Sequence, residues 1–335
     1  MKKFLVAIAI AVAVVCLFKS IPEGGLSHEY NTQGWVPDPQ ATAEFERQYG
    51  QNAYLETAAP HLLRGDDDRS VFLYKAVQKV APDHFPLNQS NVGSCVSFGT
   101  GACVDTLLAM QVVEGKVDQF IAACEESIYG GARVQAWGRQ TAPGGDGASG
   151  VGAAKWISGW GIAYRIIYPE LNGLDLRLYD TSRCRDWGYY GSGGRQYRSQ
   201  LDLICKEHPV RQVTLVRSAK EAKAALQSGY PINVCSGQGF NNQRDSQGFL
   251  RPSGSWSHSM AILGYVGGER PGFIILNSWG KKWVSGPKGL DPDMPDGAFL
   301  ADFDVVDRML RGGDSYAYSD LVGFPRKQLN NSLYW

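Results

Sequence analysis

Gln89-Ser-Asn-Val-Gly-Ser-Cys95-Val-Ser-Phe98 is a glutamine, a short Gly/Ser turn and a cysteine that opens a long apolar run. The run continues to about residue 113 with Val, Phe, Ala, Leu and Met on nearly all sides, which predicts a buried central helix. Cys95 sits at its first turn. Unpaired backbone N–H groups and the positive end of the helix dipole favour thiolate over thiol there, so a thiol pKa below the ordinary ~8.5 is expected. Gln89, six positions earlier, is close enough for its side-chain amide to stabilise an oxyanion at the same reacting atom.

A nucleophilic thiolate requires a base and a group to orient it. The chain has five histidines. His28, His61 and His84 precede the thiol in loop-like sequence, and His208 adjoins Pro209 at the start of a strand. His258 lies in Ser255-Trp-Ser-His258-Ser-Met-Ala-Ile-Leu-Gly-Tyr265, where a Gly/Ser-rich loop passes into an apolar strand. A second strand, Gly272-Phe-Ile-Ile-Leu276, ends in Asn277-Ser278-Trp279-Gly280. Paired strands bring Asn277 beside His258, where its side-chain oxygen fixes the imidazole tautomer and leaves the other ring nitrogen for the sulfur.

These pieces, in this order, resemble a papain-like cysteine peptidase. The resemblance rests on Gln89, Gly93-Ser94-Cys95 with Phe98, His258 opening a strand, and Asn277-Ser278-Trp279-Gly280 with Trp283, and it spans roughly residues 69 to 310. It implies a Cys95/His258 pair oriented by Asn277, with Gln89 in the oxyanion hole and Trp279 shielding the His–Asn bond. It also implies a cleft lined by Gly93, Ser94, Ser149, Gly150, Ser257 and Trp279 that binds an extended peptide or protein substrate. The implied fold is α+β: a helical half (about 69–205), an antiparallel β-barrel-like half (about 206–325), and the active site between them. The chain departs from the family pattern at Val92, where a disulfide cysteine is usual, and at Val96, where tryptophan is usual. Cys95 and His258 are 163 positions apart, more than the ~130–150 common for this signature, so insertions lie between them.

The remaining sequence bounds this reading. Residues 4–18 are uncharged and apolar after Met-Lys-Lys; fifteen residues fall short of a ~20-residue bilayer span and fit a signal-peptide core, with a retained anchor or lipidation at Cys16 as alternatives. Export is expected, and membrane contact only through that segment. Residues 21–68 read as an N-terminal arm or short pro-segment with one short helix near 42–49, and 326–335 as a tail. With 33 basic and 33 acidic residues, charge gives no reason to propose nucleic acid as partner. No cofactor and no metal is expected, and a monomer is. Asp291, Asp293 and Asp296 read as a solvated turn, because their spacing fits no calcium loop. Residues 71–80 read as a helix, 184–200 as a surface-loop insertion, 237–255 as a polar loop, and Ser218 as the N-cap of a helix through a capping box with Glu221. With Cys16, Cys95 and Cys103 set aside, Cys124, Cys184, Cys205 and Cys235 suffice for two disulfides; the resemblance suggests Cys124–Cys184. The rival functions are a cell-wall peptide amidase or transpeptidase and an inactive peptide-binding protein on the same scaffold.

Overall fold

The central helix spans Cys95–Val113, and every residue from Cys95 to Met110 is buried. A helix buried on its whole circumference requires partners on all sides. The structure, a computed structural model, supplies a sheet on one side and shorter helices on the other. It describes residues 34–64, 68–138, 145–206, 210–327, 329 and 332–335. The apolar run at 4–18, Cys16, His28, Asp66, Asp67 and His208 lie outside the described residues.

The helical half contains Glu125–Gly130, continued by a π-helical turn over Gly131–Ala136, then Gly150–Gly159, Thr181–Tyr190 and Gly194–Ile204. The last two overturn the expected surface loop. Their Gly and Tyr content carries little helical propensity, though their Arg content favours a helix; the Asp180 carboxylate accepts the Arg183 N–H at 2.6 Å as an N-cap, and Trp187 and Leu201 are buried in a common cluster with Cys124 and Tyr168.

The strands are β1 (Val71–Phe72), a ribbon of β2 (Ile167–Tyr168) with β3 (Leu174–Asp175), β4 (Gln212–Leu215), β5 (Ile232–Phe240), β6 (Pro252–Val266), β7 (Gly272–Leu276), β8 (Ala298–Asp302) and β9 (Tyr316–Ser319). The main sheet is antiparallel in the order β4-β9-β5-β6-β7-β8, with β1 on β6. Among the described residues it does not close into a barrel: β4 and β8 end the path, and the β5–β6 hairpin is irregular after Ser236. That hairpin takes up both ends of the stretch read as polar loop and leaves 241–251 as its loop, and residues 71–80 divide into β1 and a helix over Tyr74–Val80. Ser218 accepts the Glu221 N–H at 3.2 Å and caps the helix Ala219–Gln227 as expected. Asp291 accepts the Tyr74 hydroxyl, and Asp296 pairs with Lys281 and Lys288.

The N-terminal arm is part of the core. Asp38 accepts the Ala41 N–H at 2.9 Å and Pro39 occupies the first helical position, two standard helix starts. The resulting helix, Pro39–Tyr49, buries Phe45 edge-on to Tyr316 at 5.3 Å, and Ala53, Leu55 and Leu62 are buried behind it.

The six described cysteines, Cys95, Cys103, Cys124, Cys184, Cys205 and Cys235, are buried free thiols, so the expected Cys124–Cys184 bridge is not formed. The two thiols of that expected bridge have other partners: Cys124 Sγ donates to Glu126 Oε2 at 3.3 Å, and Cys184 bonds with Tyr179 and Ser94.

Polar binding replaces covalent binding in this half. Glu125 and Glu126 are buried. Arg165 pairs with both, at 2.9 Å to Glu126, and Arg183 Nη2 meets Glu126 Oε1 at 2.7 Å. Burial pushes the Glu125 carboxyl up and Arg165 pulls it back. Arg165→Met is therefore expected to leave Glu125 buried without its cation, while Glu126 keeps Arg183, and to destabilise the fold by about 3–5 kcal/mol. Urea denaturation checks this: the midpoint should fall with an unchanged slope, and an unchanged midpoint would refute it.

Candidate active site

β6 and β7 place the imidazole and its orienter. Ala261 is paired with Leu276 at the end of β7, so Asn277 emerges next to His258, three residues back along β6. Asn277 Oδ1 lies 2.8 Å from His258 Nε2, and both side chains are buried. The Ser278 N–H donates to the same Asn277 oxygen at 2.7 Å, which fixes the amide flip and makes Nε2 the protonated imidazole nitrogen. His258 Nδ1 is left buried without a hydrogen-bond partner. The Trp279 ring lies over the imidazole at 4.5 Å, and Trp256, 4.8 Å from Trp279, completes the cover with Trp283. Trp256 was assigned no role from sequence, although it stands two residues before His258.

The helical half delivers the thiol to this strand. The N–H of Ser259, the residue after His258, reaches Cys95 Sγ together with the N–H groups of Cys95 and Val96. Gln89 is held between the halves: its N–H donates to the Ser278 carbonyl at 2.8 Å, its Oε1 accepts the Ser278 hydroxyl at 2.6 Å, and its Nε2 donates to the Val92 carbonyl at 2.8 Å. One amide hydrogen remains. The structure thus joins His258 to Asn277, holds Gln89 on the adjoining Ser278, and brings the Cys95 sulfur to the N–H that follows His258, without a bond between the sulfur and His258 Nδ1. Of the other histidines, His84 pairs with the buried Asp105 and His61 lies 3.1 Å from the Phe324 carbonyl.

The cleft is occupied by the chain's own N-terminal segment. The N–H groups of Gly34 and Trp35 both donate to the Ser257 carbonyl at 3.0 Å. Val36 N–H donates to the Ala148 carbonyl at 2.9 Å, and Ala148 N–H to the Gly34 carbonyl at 2.9 Å, a parallel bridge. Gly34 lies directly on the thiol: a Cβ there would be 2.4 Å from Cys95 Sγ and 2.9 Å from the Gly93 carbonyl. The Trp35 indole N–H donates to Asp314 at 2.8 Å. Asp314 is buried, also accepts the Gly150 and Val151 N–H groups at 2.7 Å, and has its pKa pushed up to about 7 by burial, against the pull of these donors.

This occupancy reverses the expected electrostatics. Burial pushes the Cys95 thiol up to about 12, outweighing the backbone N–H groups at the helix start. Burial also takes His258 down to about 4, against its bond to Asn277. Under the strap the pair is neutral.

The residues expected to line the cleft divide into two groups. Ser257 contributes its carbonyl and Trp279 its ring, as described. The Gly93 N–H is taken by Asp146 at 2.6 Å, and the buried Ser94 hydroxyl sits against Tyr179 at 3.3 Å. Ser149 caps the helix Gly150–Gly159 by accepting the Gly152 N–H at 3.1 Å, and Gly150 donates to Asp314. The extended pairing falls to Ala148 instead, because residues 149 and 150 are consumed in starting the helix.

With this geometry in place, likeness to solved structures is informative. Xylellain, a cysteine protease from Xylella fastidiosa, superposes with a TM-score of 0.57 over 87% of this chain and 96% of its own, at 15% identity. The fold is papain-like. Procathepsin B S9 from Trypanosoma congolense superposes with a TM-score of 0.50 over 77% of this chain and 79% of its own, at 12% identity. No family model and no curated protein matches the sequence. The papain-like fold is thus carried by element order and core geometry at an identity too low to transfer an activity.

Proposed function

We propose that this chain is a cysteine endopeptidase, exported through its apolar N-terminus, that holds its own strap in the substrate cleft. The reading rests on one observation above the rest: Asn277 binds His258 Nε2 and leaves Nδ1 unpartnered on the strand whose next N–H touches the Cys95 sulfur.

In the proposed reaction, Cys95 passes its proton to His258 Nδ1, and the thiolate attacks the scissile carbonyl. The Gln89 side-chain amide and the Cys95 N–H hold the tetrahedral oxyanion. His258 returns the proton to the leaving amine, which departs and leaves a thioester. Water then gives a proton to His258 and attacks the thioester, releasing the acid and restoring the thiol. The substrate is an extended peptide, because Ser257 and Ala148 present backbone groups that already pair with the extended strap. Casein and an epoxysuccinyl peptide inhibitor provide the test. The purified, reduced chain is expected to hydrolyse casein and to lose that activity on stoichiometric labelling of Cys95, mapped by peptide analysis. Hydrolysis of peptidoglycan peptides without casein would favour the amidase reading, and absence of labelling after strap release would leave a binding protein.

A further inference from the structure

Two segments flank the thiol: the loop 89–94 that delivers Cys95, and the segment 145–148 that pairs with the strap. No covalent link joins them, since Val92 replaces the usual cysteine and the described thiols are free. One carboxylate does. Asp146 Oδ2 accepts the Gly93 N–H at 2.6 Å, and Oδ1 accepts the Tyr129 hydroxyl and the Gly147 N–H, the latter at 2.9 Å. The fit at Gly93 is close enough that a Cβ there would lie 2.7 Å from Asp146 Cγ.

Both ends of this link are anchored. Tyr129 is 2% exposed and accepts Arg133 Nη1 at 3.1 Å and the Gly147 N–H at 3.0 Å. The Arg133 guanidinium, itself buried, binds the Gly145, Gly147 and Gly188 carbonyls. Across the loop, the Tyr179 hydroxyl donates to the Gln89 carbonyl at 3.2 Å. Among the described residues, Asp146 thus ties the loop bearing the oxyanion donor and the thiol to the 145–148 wall, while Tyr179 and Arg185 hold the same loop from the helical side.

Building on the peptidase reading, we infer that Asp146 is a positioning residue: its carboxylate braces the Gly93 amide against the Gly147–Ala148 wall and sets a negative charge beside Cys95. After burial and the Ser259 N–H, that charge is the next influence on the thiol, and it opposes ionisation. The other titratable and charged groups facing this point are Tyr129, Tyr179, Cys184 and, stacked on the Tyr129 ring at 5.0 Å, Arg133, with His258 and Cys235 on the strand side of the sulfur. Asp146 thus both positions the nucleophile and holds it in the thiol form.

The two roles separate under substitution. Asp146→Asn keeps an oxygen for the Gly93 N–H and removes the charge; Asp146→Ala removes both. Alkylation of Cys95 by iodoacetamide in the full chain carrying Gly34→Val, which lifts residues 34–36 off the sulfur, followed by peptide mapping across pH 5–10, reads the charge. Its midpoint is expected to move down by roughly one unit in Asp146→Asn. Casein turnover reads the brace: kcat should fall by roughly 10- to 100-fold in Asp146→Ala and recover at least partly in Asp146→Asn. An unchanged midpoint in Asp146→Asn overturns the electrostatic role. Parent-like kcat in a folded Asp146→Ala overturns the brace; if that variant fails to fold, kcat in Asp146→Asn decides, and a loss there as deep as that expected for Ala overturns it. Absence of Cys95 alkylation at every pH even in Gly34→Val, with the strap released, would instead remove the peptidase reading and this inference with it.

Discussion

Cys95→Ala is expected to abolish casein hydrolysis, with a fall in kcat of at least ~10⁴-fold, while leaving the melting temperature within a few degrees of the parent. The size follows from the mechanism. Removing the nucleophile forfeits the whole covalent route, and only binding and oxyanion stabilisation remain to act on a water attack. The fold should survive because Cys95 lies at the first turn of its helix and contributes one small buried side chain; loss of one sulfur costs little beside the burial of the whole run Val96–Met110. His258→Ala should cost comparably, since thiol and imidazole act as a unit and their losses do not add. Asn277→Ala should cost less, because it frees the ring to rotate without removing it. Substantial hydrolysis by Cys95→Ala, measured against a preparation carrying no other peptidase, would overturn the assignment.

The residues in that prediction were legible in the sequence because their chemistry is local. A thiol at a helix start and a histidine and asparagine at strand ends are each marked by their immediate neighbours, and the pairing of β6 with β7 follows from two adjacent apolar runs. The capping box at Ser218 was legible for the same reason. The strap was not. Gly34 and Trp35 gain their meaning from Ser257, Ala148 and Asp314, more than a hundred positions away, and no local pattern announces such contacts. The helix that anchors the strap did leave a signal, Asp38-Pro39, which starts it three residues earlier than the expected 42–49. Asp180 left a similar one for the helix Thr181–Tyr190. Counting cysteines gave parity but no distances, and half of the expected first bridge is committed to Glu126 instead. The thiol pKa went astray for a different reason. The helix-terminus effect has the expected sign, but desolvation under the strap is the larger influence.

That last point leads to the second large effect. Gly34→Val should expose and activate Cys95. A side chain at position 34 would collide with the sulfur at 2.4 Å and with the Gly93 carbonyl at 2.9 Å; the carbonyl belongs to the braced loop, so the strap is the part that yields. Deleting the whole arm would be a poorer experiment. Phe45, Leu55 and Leu62 are core residues, and their loss would confuse release with unfolding. A point substitution lifts residues 34–36 and leaves the helix Pro39–Tyr49 seated. Once uncovered, a thiol returning from about 12 toward an ordinary ~8.5 gains roughly a thousandfold in thiolate at neutral pH. Alkylation of Cys95 at pH 7.5 should therefore accelerate at least ~100-fold, and casein hydrolysis should rise with it. Trp35→Phe, which keeps the ring but removes the donor to Asp314, should act in the same direction by roughly tenfold or more, the worth of a hydrogen bond to a charged group. If Gly34→Val melts like the parent yet its thiol alkylates no faster, the strap does not govern access to the site. If both substitutions accelerate labelling in that order, the cleft is held shut by the absence of one side chain and the presence of another.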